Sequence, residues 1–254
     1  MKRIASLPLF AMSLLSITTL SAVNIAYADL SSSSAKQSTT MIITDAKTTI
    51  TPQESKNMLT MFKQIKANNN MAVLDLIKND ASLLKARDAQ GQTPLMAAIY
   101  QGNEELAKQL ILAGADVNAQ DNISNSPFLY AGAEGYYETL KLALSHGAQF
   151  DIYNRYGGTA LIPAAEKGHV DNVMLLANTP HFPIDHVNNL GWTALMEAIV
   201  LGGDDAKHVQ IIDILLKAGA NPNIPDKKGV SALTHAKQKG FTEIVKLLQA
   251  YHAQ

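Results

Sequence analysis

The stretch that decides the fold is DAQGQTPLMAAIYQGNEELAKQLILAGADVN, residues 88–118. It opens with turn-forming residues, and Thr93 followed by a proline is typical of a helix start. Gly102 separates two apolar segments of helical periodicity, and Gly114 follows the second segment. The stretch therefore predicts a turn followed by two short antiparallel helices.

The same spacing recurs along the chain. A hydroxyl residue stands nine positions before a glycine in five places: Thr93/Gly102, Ser126/Gly135, Thr159/Gly168, Thr193/Gly202 and Ser231/Gly240. Successive hydroxyls are 33, 33, 34 and 38 residues apart. A period near 33 is typical of stacked repeats, in which each unit is too small to bury a core alone.

Each unit also carries an Asp or Asn before the hydroxyl and an alanine five residues after it. The stretches DAQGQTPL (88–95), AGADVNA (113–119) and AGANPN (218–223) resemble the turn, helix opening and repeat ending of the ankyrin repeat family. The resemblance covers about residues 52–252. It implies an all-α solenoid of about six helix-turn-helix units, including caps, with short β-hairpin or turn fingers. It also implies binding of a partner, usually a protein, through the fingers and first helices.

The repeat spacing divides the chain as follows. We predict a signal peptide (1–28), a flexible Ser/Thr-rich leader (29–50) and an ankyrin domain (51–254), made of an N-terminal capping repeat (51–86), four repeats (87–119, 120–152, 153–186 and 187–224) and a C-terminal repeat (225–254). Thr51, Pro52 and Glu54 predict a capping box at the first helix. Thr60 and Asn69 are assigned to the hydroxyl and glycine positions of the capping repeat.

The chain departs from the family pattern in several places. Ser124 replaces the glycine of the second turn, and Pro163 would break its helix unless that helix starts late. Residues 178–183 replace the usual Gly-Ala ending, and residues 202–207 lengthen one interhelix turn by about five residues. The family's histidine after Thr-Pro-Leu is absent, and its inter-repeat hydrogen bonds must be lost or replaced; the residues there are Met96, Leu129, Ile162, Met196 and Thr234.

The N-terminus predicts export. Lys2 and Arg3 precede an apolar run from Leu7 to Leu20, and Ala26-Tyr27-Ala28 is a suitable cleavage motif. We expect cleavage after Ala28 and a periplasmic or secreted protein without stable membrane insertion. The alternative is an uncleaved anchor, but the run is short and interrupted by polar residues.

Composition narrows the functional classes. The chain has no cysteine, which excludes disulfides, thiolate metal sites and a cysteine nucleophile. Removal of residues 1–28 changes the formal net charge from −1 to −3, since Lys2 and Arg3 are the only charged residues there. This balance argues against nucleic acid as the partner.

No motif for catalysis is evident. The sequence lacks a nucleophile elbow, a phosphate loop and a dinucleotide fingerprint. His181 and His186 share a loop with Asp185, but loop histidines without a metal-ligand pattern are more simply surface residues. The adjacent acids Asp204 and Asp205 are more simply a solvated turn. We therefore predict a protein that is not an enzyme and uses no cofactor and no metal.

The repeat pattern places exposed side chains on the fingers and beside the helix-ending glycines, on the inner face. Aromatic residues among them are favoured because binding energy concentrates in aromatic anchors. Trp192 could equally pack between fingers, whereas contact is favoured for Tyr156. The predicted partner-binding residues are Tyr100, Ile123, Glu134, Arg155, Tyr156, Lys167, Leu190 and Trp192.

These observations predict an exported, non-enzymatic protein-binding module, monomeric when unbound, that captures a partner on its concave face and fingers. Two more specific roles fit the same module: an immunity-type inhibitor of a toxin, or a supporting factor for an envelope enzyme. An enzyme that uses the irregular region 178–210 is the disfavoured alternative. A purely structural envelope protein is a further one.

Overall fold

A computed structural model describes residues 51–254, and the predicted signal peptide and leader lie outside these residues. Regular secondary structure in the described part is helical, with twelve α-helices and no strand. The α-helices are α1 (Pro52–Lys66), α2 (Asn70–Asn79), α3 (Pro94–Tyr100), α4 (Glu104–Leu112), α5 (Pro127–Glu134), α6 (Tyr137–Ser145), α7 (Leu161–Glu166), α8 (Val170–Ala177), α9 (Ala194–Val200), α10 (Ala206–Lys217), α11 (Ala232–Lys239) and α12 (Thr242–Ala250). A 3₁₀ helix, Ala81–Lys85, follows α2.

The helices form two layers. The first helix of each pair packs against the first helix of the next, so that α1, α3, α5, α7, α9 and α11 form an inner layer. The second helices α4, α6, α8, α10 and α12 form the outer layer in the same order. Each helix pair thus buries its apolar faces against neighbouring pairs, which is how short repeats build one core. This architecture confirms the predicted all-α solenoid, with fingers that are turns rather than strands within residues 51–254.

Small residues let the inner layer pack closely. The alanines five positions after each hydroxyl are completely buried: Ala98, Ala131, Ala164, Ala198 and Ala236. The family's missing histidine is replaced by apolar packing, since Met96, Leu129, Ile162 and Met196 are at most 3% exposed. Packing of side chains into the core therefore takes the place of hydrogen bonds at four of the five positions.

The helix starts follow the predicted capping rule with one exception. Thr51 and Glu54 form the predicted capping box, and the hydroxyls of Thr93, Ser126, Thr193 and Ser231 each accept a hydrogen bond from the N–H three residues on. Helix α7 begins one residue later than this rule gives, at Leu161, so that Pro163 falls in its first turn and displaces no intrahelical bond. The late start leaves the buried Thr159 hydroxyl without a hydrogen-bond partner in residues 51–254.

The capping repeat differs from the register predicted for it. Helix α1 has 15 residues, so Thr60 lies inside it and donates its hydroxyl to the Lys56 carbonyl at 2.8 Å. The left-handed residue that follows α1 is Asn68, with φ of +53°, and Asn69 instead caps α2. The assignment of Thr60 and Asn69 to the hydroxyl and glycine positions was therefore wrong, because α1 already begins at Pro52 and the left-handed position falls on Asn68.

The five additional residues of the fourth repeat are shared between a loop and a helix. Five residues separate α9 from α10, whereas three separate α3 from α4. The remaining length extends α10 to 12 residues, against nine in α4 and α6. The prediction that the turn alone grows by about five residues was thus too simple, since Asp205 caps a longer helix.

Candidate partner-binding surface

Five loops precede the inner helices and share one construction; we call these loops fingers (88–92, 121–125, 154–158, 188–192 and 226–230). The first residue of each finger accepts hydrogen bonds through its side-chain Oδ1 from the N–H groups two and four residues on. These residues are Asp88, Asp121, Asn154, Asn188 and Asp226. Asp and Asn suit this position because their short side chains reach the backbone two residues on.

The fourth residue of each finger has positive φ. Gly91 has φ of +74° and faces the Asn122 side chain of the next finger, which leaves no room for a Cβ. Ser124 takes the same conformation, with φ of +61°. The turn therefore keeps its type although serine stands where the repeat pattern has glycine. The close approach of the next finger therefore requires glycine at position 91. Position 124 accommodates the Cβ of serine.

Neighbouring fingers are joined by hydrogen bonds. The Asn122 N–H donates to the Gln90 carbonyl at 3.0 Å, and the Asn189 N–H donates to the Tyr156 carbonyl at 2.8 Å. Between these two pairs, Gln120 Nε2 donates to the Tyr153 carbonyl at 2.8 Å. The fingers of the middle repeats thus form one connected edge, on which side chains keep fixed relative positions.

The second and third residues of each finger form its tip. Ile123, Tyr156 and Leu190 occupy the same tip position in three successive fingers, where they are 51%, 52% and 49% exposed. The equivalent residues of the first and last fingers are polar, Gln90 and Lys228. We call the three apolar side chains the finger ribbon. Exposed apolar surface with a polar border marks interaction sites in soluble proteins.

Two predicted residues beside the ribbon have different surroundings. The Arg155 guanidinium lies 4.7 Å from the Tyr156 ring centroid, a cation–π contact that holds both exposed side chains together. Trp192 is half-buried and packs against the core. The indole therefore packs within the protein, and its remaining exposed part is available to a partner.

Tyr100 is tied to the neighbouring finger. Its hydroxyl donates to Asp121 Oδ2 at 2.6 Å and accepts from Asn125 Nδ2 at 2.8 Å. Burial and the bond to Asp121 raise the pKa of Tyr100 well above its usual range. The ring meets Tyr130 edge-on, with centroids 4.6 Å apart. The hydroxyl is therefore already used within the protein, and only the ring of Tyr100 is available for contact.

Glu134 and Lys167 lie on the inner face of successive repeats. Lys167 Nζ donates to Glu134 Oε1 at 2.6 Å, and both side chains are partly exposed. The pair links α5 to the C-terminal end of α7. Its two charges compensate each other. Neither charge is therefore left unpaired for a partner, in contrast to the side chains of the finger ribbon.

Glu197 is the buried acid of this surface, and it is not among the residues predicted from the sequence. It lies in α9, is 5% exposed, and accepts a hydrogen bond from Asn188 Nδ2 at 2.8 Å. Burial, followed by the charge of Glu166, raises the pKa of Glu197 to about 7. A signal existed in the sequence: a glutamate stands four residues after the hydroxyl, where the other repeats have Ala97, Tyr130, Pro163 and His235.

The inserted loop is fastened to the previous repeat. His208 bonds Asp205 Oδ2 at 2.7 Å through Nδ1 and the Glu166 carbonyl at 2.9 Å through Nε2. This hydrogen bond from His208 is the main cause that lowers the pKa of Asp205. His186, in contrast, stacks on Tyr153 with centroids 4.3 Å apart. These histidines therefore have structural roles.

Residues 51–254 contain no cluster of three His, Asp or Glu side chains arranged to hold a metal ion. None of their helices combines the length and apolarity needed to cross a membrane.

Comparison with known proteins identifies the family. A profile of three ankyrin repeats matches residues 128–226, and a single ankyrin repeat profile matches residues 90–122. The ankyrin repeat protein YahD of Escherichia coli is 38% identical over 164 residues, which are 64% of this chain and 81% of YahD. The chain belongs to the ankyrin repeat family. Ankyrin repeats are protein–protein interaction modules and are typically not enzymes.

Other ankyrin proteins show how far the similarity extends. The crystal structure of an ankyrin repeat domain from Acinetobacter baumannii aligns with a TM-score of 0.73 and 49% identity, covering 77% of this chain and 98% of that domain. The Ankyrin repeat and KH domain-containing protein mask-1 of Caenorhabditis elegans is 31% identical over 158 residues, which are 61% of this chain and 6% of mask-1. Similarity to the much longer mask-1 therefore concerns the repeats alone.

Proposed function

We propose that this ankyrin protein is an exported, non-enzymatic module that captures a partner protein on its finger ribbon and the adjoining concave face. The finger ribbon carries this proposal. Three successive fingers present a large apolar side chain at one equivalent position, and the flanking fingers end the ribbon with polar residues. Burial of the ribbon by a partner would remove apolar surface from water at the usual gain of about 25 cal/mol per Å².

The surroundings of the ribbon favour protein as the partner. Tyr153 and Val187 are also exposed, each directly before the first residue of a finger. Arg155 supplies a cation already stacked on an aromatic ring. Apolar anchors with a polar border are the usual composition of a protein interface. The net charge of −3 after residue 28 disfavours a nucleic acid.

The export part of the proposal rests on the sequence of residues 1–28. A basic start, an apolar run and small residues at 26 and 28 are the three features of a secretory signal. Export is tested by N-terminal sequencing of the protein from fractionated bacterial cells. A mature protein that begins at Asp29 in the envelope or medium supports it, and an uncleaved protein in the cytoplasm contradicts it.

Partner capture is tested with a matched pair of triple variants. The ribbon variant replaces Ile123, Tyr156 and Leu190 by serine. The control variant replaces Leu59, Leu112 and Met174 by serine. These apolar residues are similarly or more exposed, at 69%, 67% and 46%, but they lie on helices rather than on fingers.

Each variant serves as bait in an envelope extract, and retained proteins are identified by mass spectrometry. We expect wild type and the control to retain the same stoichiometric partner and the ribbon variant to lose it, with unchanged helical circular dichroism in all three. Equal capture by the ribbon variant would place the interface elsewhere.

A further inference from the structure

Glu197 is a buried carboxylate that lacks a cation. Asn188, a neutral amide, donates the one hydrogen bond that its Oε1 accepts. The salt bridges among residues 51–254 all involve other acids. Because a buried carboxylate loses its hydration, a structure usually compensates it with a cation or several donors. Glu197 has neither within residues 51–254.

The second oxygen of Glu197 is not fully enclosed, although the residue is only 5% exposed. Oε2 accepts no hydrogen bond from residues 51–254, and it is not among the fully enclosed polar atoms without a partner. The side chain is therefore held at one oxygen and free at the other.

A second acid without a salt bridge in residues 51–254 lies on the neighbouring inner helix. Glu166 is the last residue of α7, which packs directly against α9, and its charge contributes to the raised pKa of Glu197. The adjacent Lys167 does not neutralise it, since Lys167 is bonded to Glu134. Two carboxylates thus lie on packed successive inner helices, and the charge of one reaches the other.

The next repeat shows the compensated form of the same arrangement. His235 and Asp226 occupy the positions that Glu197 and Asn188 occupy in their repeat, and His235 Nε2 lies 2.9 Å from Asp226 Oδ2. In the fourth repeat Glu197 faces the neutral Asn188 instead of a histidine. The charge of Glu197 is therefore left for a group outside residues 51–254.

The histidines and lysines of the helices that pack against α9 do not contact the Glu197 carboxylate. Helix α9 packs against α7, α10 and α11. The histidine of α10, His208, is bonded to Asp205, and the histidine of α11 is bonded to Asp226 as described. The lysines of these helices, Lys207, Lys217, Lys237 and Lys239, are exposed, and none lies within 4.0 Å of the Glu197 carboxylate.

The surface next to the two acids is apolar. Leu201 is 49% exposed, and Val200 and Pro163 are half-buried. An arginine or lysine combines an aliphatic stem with a charged end group, and the stem packs on apolar surface while the end group meets a carboxylate. A bare metal ion would gain nothing from these apolar residues.

We propose that the concave face at α7 and α9 recognises an arginine or lysine side chain of the partner protein, bound between Glu166 and Glu197 with its stem on Val200 and Leu201. This inference rests on the proposed function and names the chemistry of the partner. It adds a specific charged contact to the apolar contact of the finger ribbon.

The test follows the Glu197 carboxyl carbon by NMR in the purified protein labelled with ¹³C-glutamate. The probe is the peptide Ac-Leu-Arg-Leu-NH₂ at millimolar concentration, and the control peptide carries citrulline in place of arginine. We expect the arginine peptide to lower the pKa of Glu197 by about one unit, which corresponds to about tenfold tighter binding to the ionised protein. The uncharged control should leave the pKa unchanged.

Protein variants sharpen the result. Glu197→Gln and Glu166→Gln should weaken binding of the arginine peptide at least about tenfold. Glu105→Gln should not, because Glu105 pairs with Lys108 within α4 and lies away from α7 and α9. An unchanged Glu197 pKa with the arginine peptide overturns the inference. So does an equal effect of the citrulline peptide, or a pKa lowered by calcium chloride and not by the peptide. The measurement does not involve the finger ribbon, so its failure beside intact partner capture refutes the cation site alone.

Discussion

Replacement of Glu197 by glutamine should change how the stability of the protein depends on pH. The glutamine side-chain oxygen can still accept the hydrogen bond from Asn188, so the variant removes the charge and keeps the contact. The pKa of Glu197 is about 7 in the folded protein against 4.5 for an ordinary glutamate. At 1.36 kcal/mol per unit, reduced somewhat because one oxygen reaches solvent, the ionised carboxylate costs the folded state about 2–3 kcal/mol.

The sign follows from which state binds the proton more tightly. The folded protein holds the proton of Glu197 up to about pH 7, whereas the unfolded chain releases it near pH 4.5. The unfolded state therefore binds fewer protons between these values, and the free energy of unfolding falls as pH rises through this window. Below pH 4.5 the carboxyl is neutral in both states, and above pH 7 the loss is complete.

Urea unfolding of wild type and Glu197→Gln from pH 4 to pH 9 measures this difference. We expect the two free energies of unfolding to agree near pH 4 and the variant to be more stable by about 2–3 kcal/mol above pH 8. Glu134→Gln is the control, since its ion pair with Lys167 is partly exposed and contributes less than about 1 kcal/mol. Curves for wild type and Glu197→Gln that stay parallel at all pH values would refute the burial argument.

Three further outcomes can be checked by urea unfolding at neutral pH. Tyr100→Phe removes the hydroxyl bonded to Asp121, so we expect a loss of about 1–2 kcal/mol; an unchanged stability would show that the bond is not formed in solution. Thr93→Val removes a helix cap and should cost about 1 kcal/mol, whereas Thr159→Val removes a buried hydroxyl without a partner and should be neutral or stabilising; equal losses would contradict the late start of α7. Asn172→Ala removes a buried amide that donates to two carbonyls of α5 and should cost about 2–3 kcal/mol, and a change below about 0.5 kcal/mol would argue against those bonds.

The local rules in the sequence were enough to predict the helix starts. A hydroxyl followed by an apolar segment caps a helix through its own backbone three residues on, so Thr93, Ser126, Thr193 and Ser231 needed no tertiary information. The same holds for the finger turns, because Asp or Asn bonds to N–H groups within four residues. Thr159 shows the limit of the rule, since the nearby Pro163 delays the helix.

The surroundings of the predicted partner-binding residues depended more on packing between repeats. The repeat position placed Ile123, Tyr156 and Leu190 on finger tips, and they are exposed there. The same reasoning could not decide between contact and packing for Trp192, because that choice depends on neighbouring repeats. It also could not show that the Tyr100 hydroxyl is bonded to Asp121 of the next finger.

By itself, the sequence determined the family, the order of turns and helices, and the tip positions, because these depend on hydrogen bonds and periodicity within one repeat of about 33 residues. Tertiary structure decided which side chains lose water. Glu197 looks like an ordinary helical glutamate in the sequence, and only the packing of α9 beside α7 buries its carboxylate and brings Glu166 next to it. Desolvation and charge repulsion arise between repeats, so they appear only when the repeats are stacked.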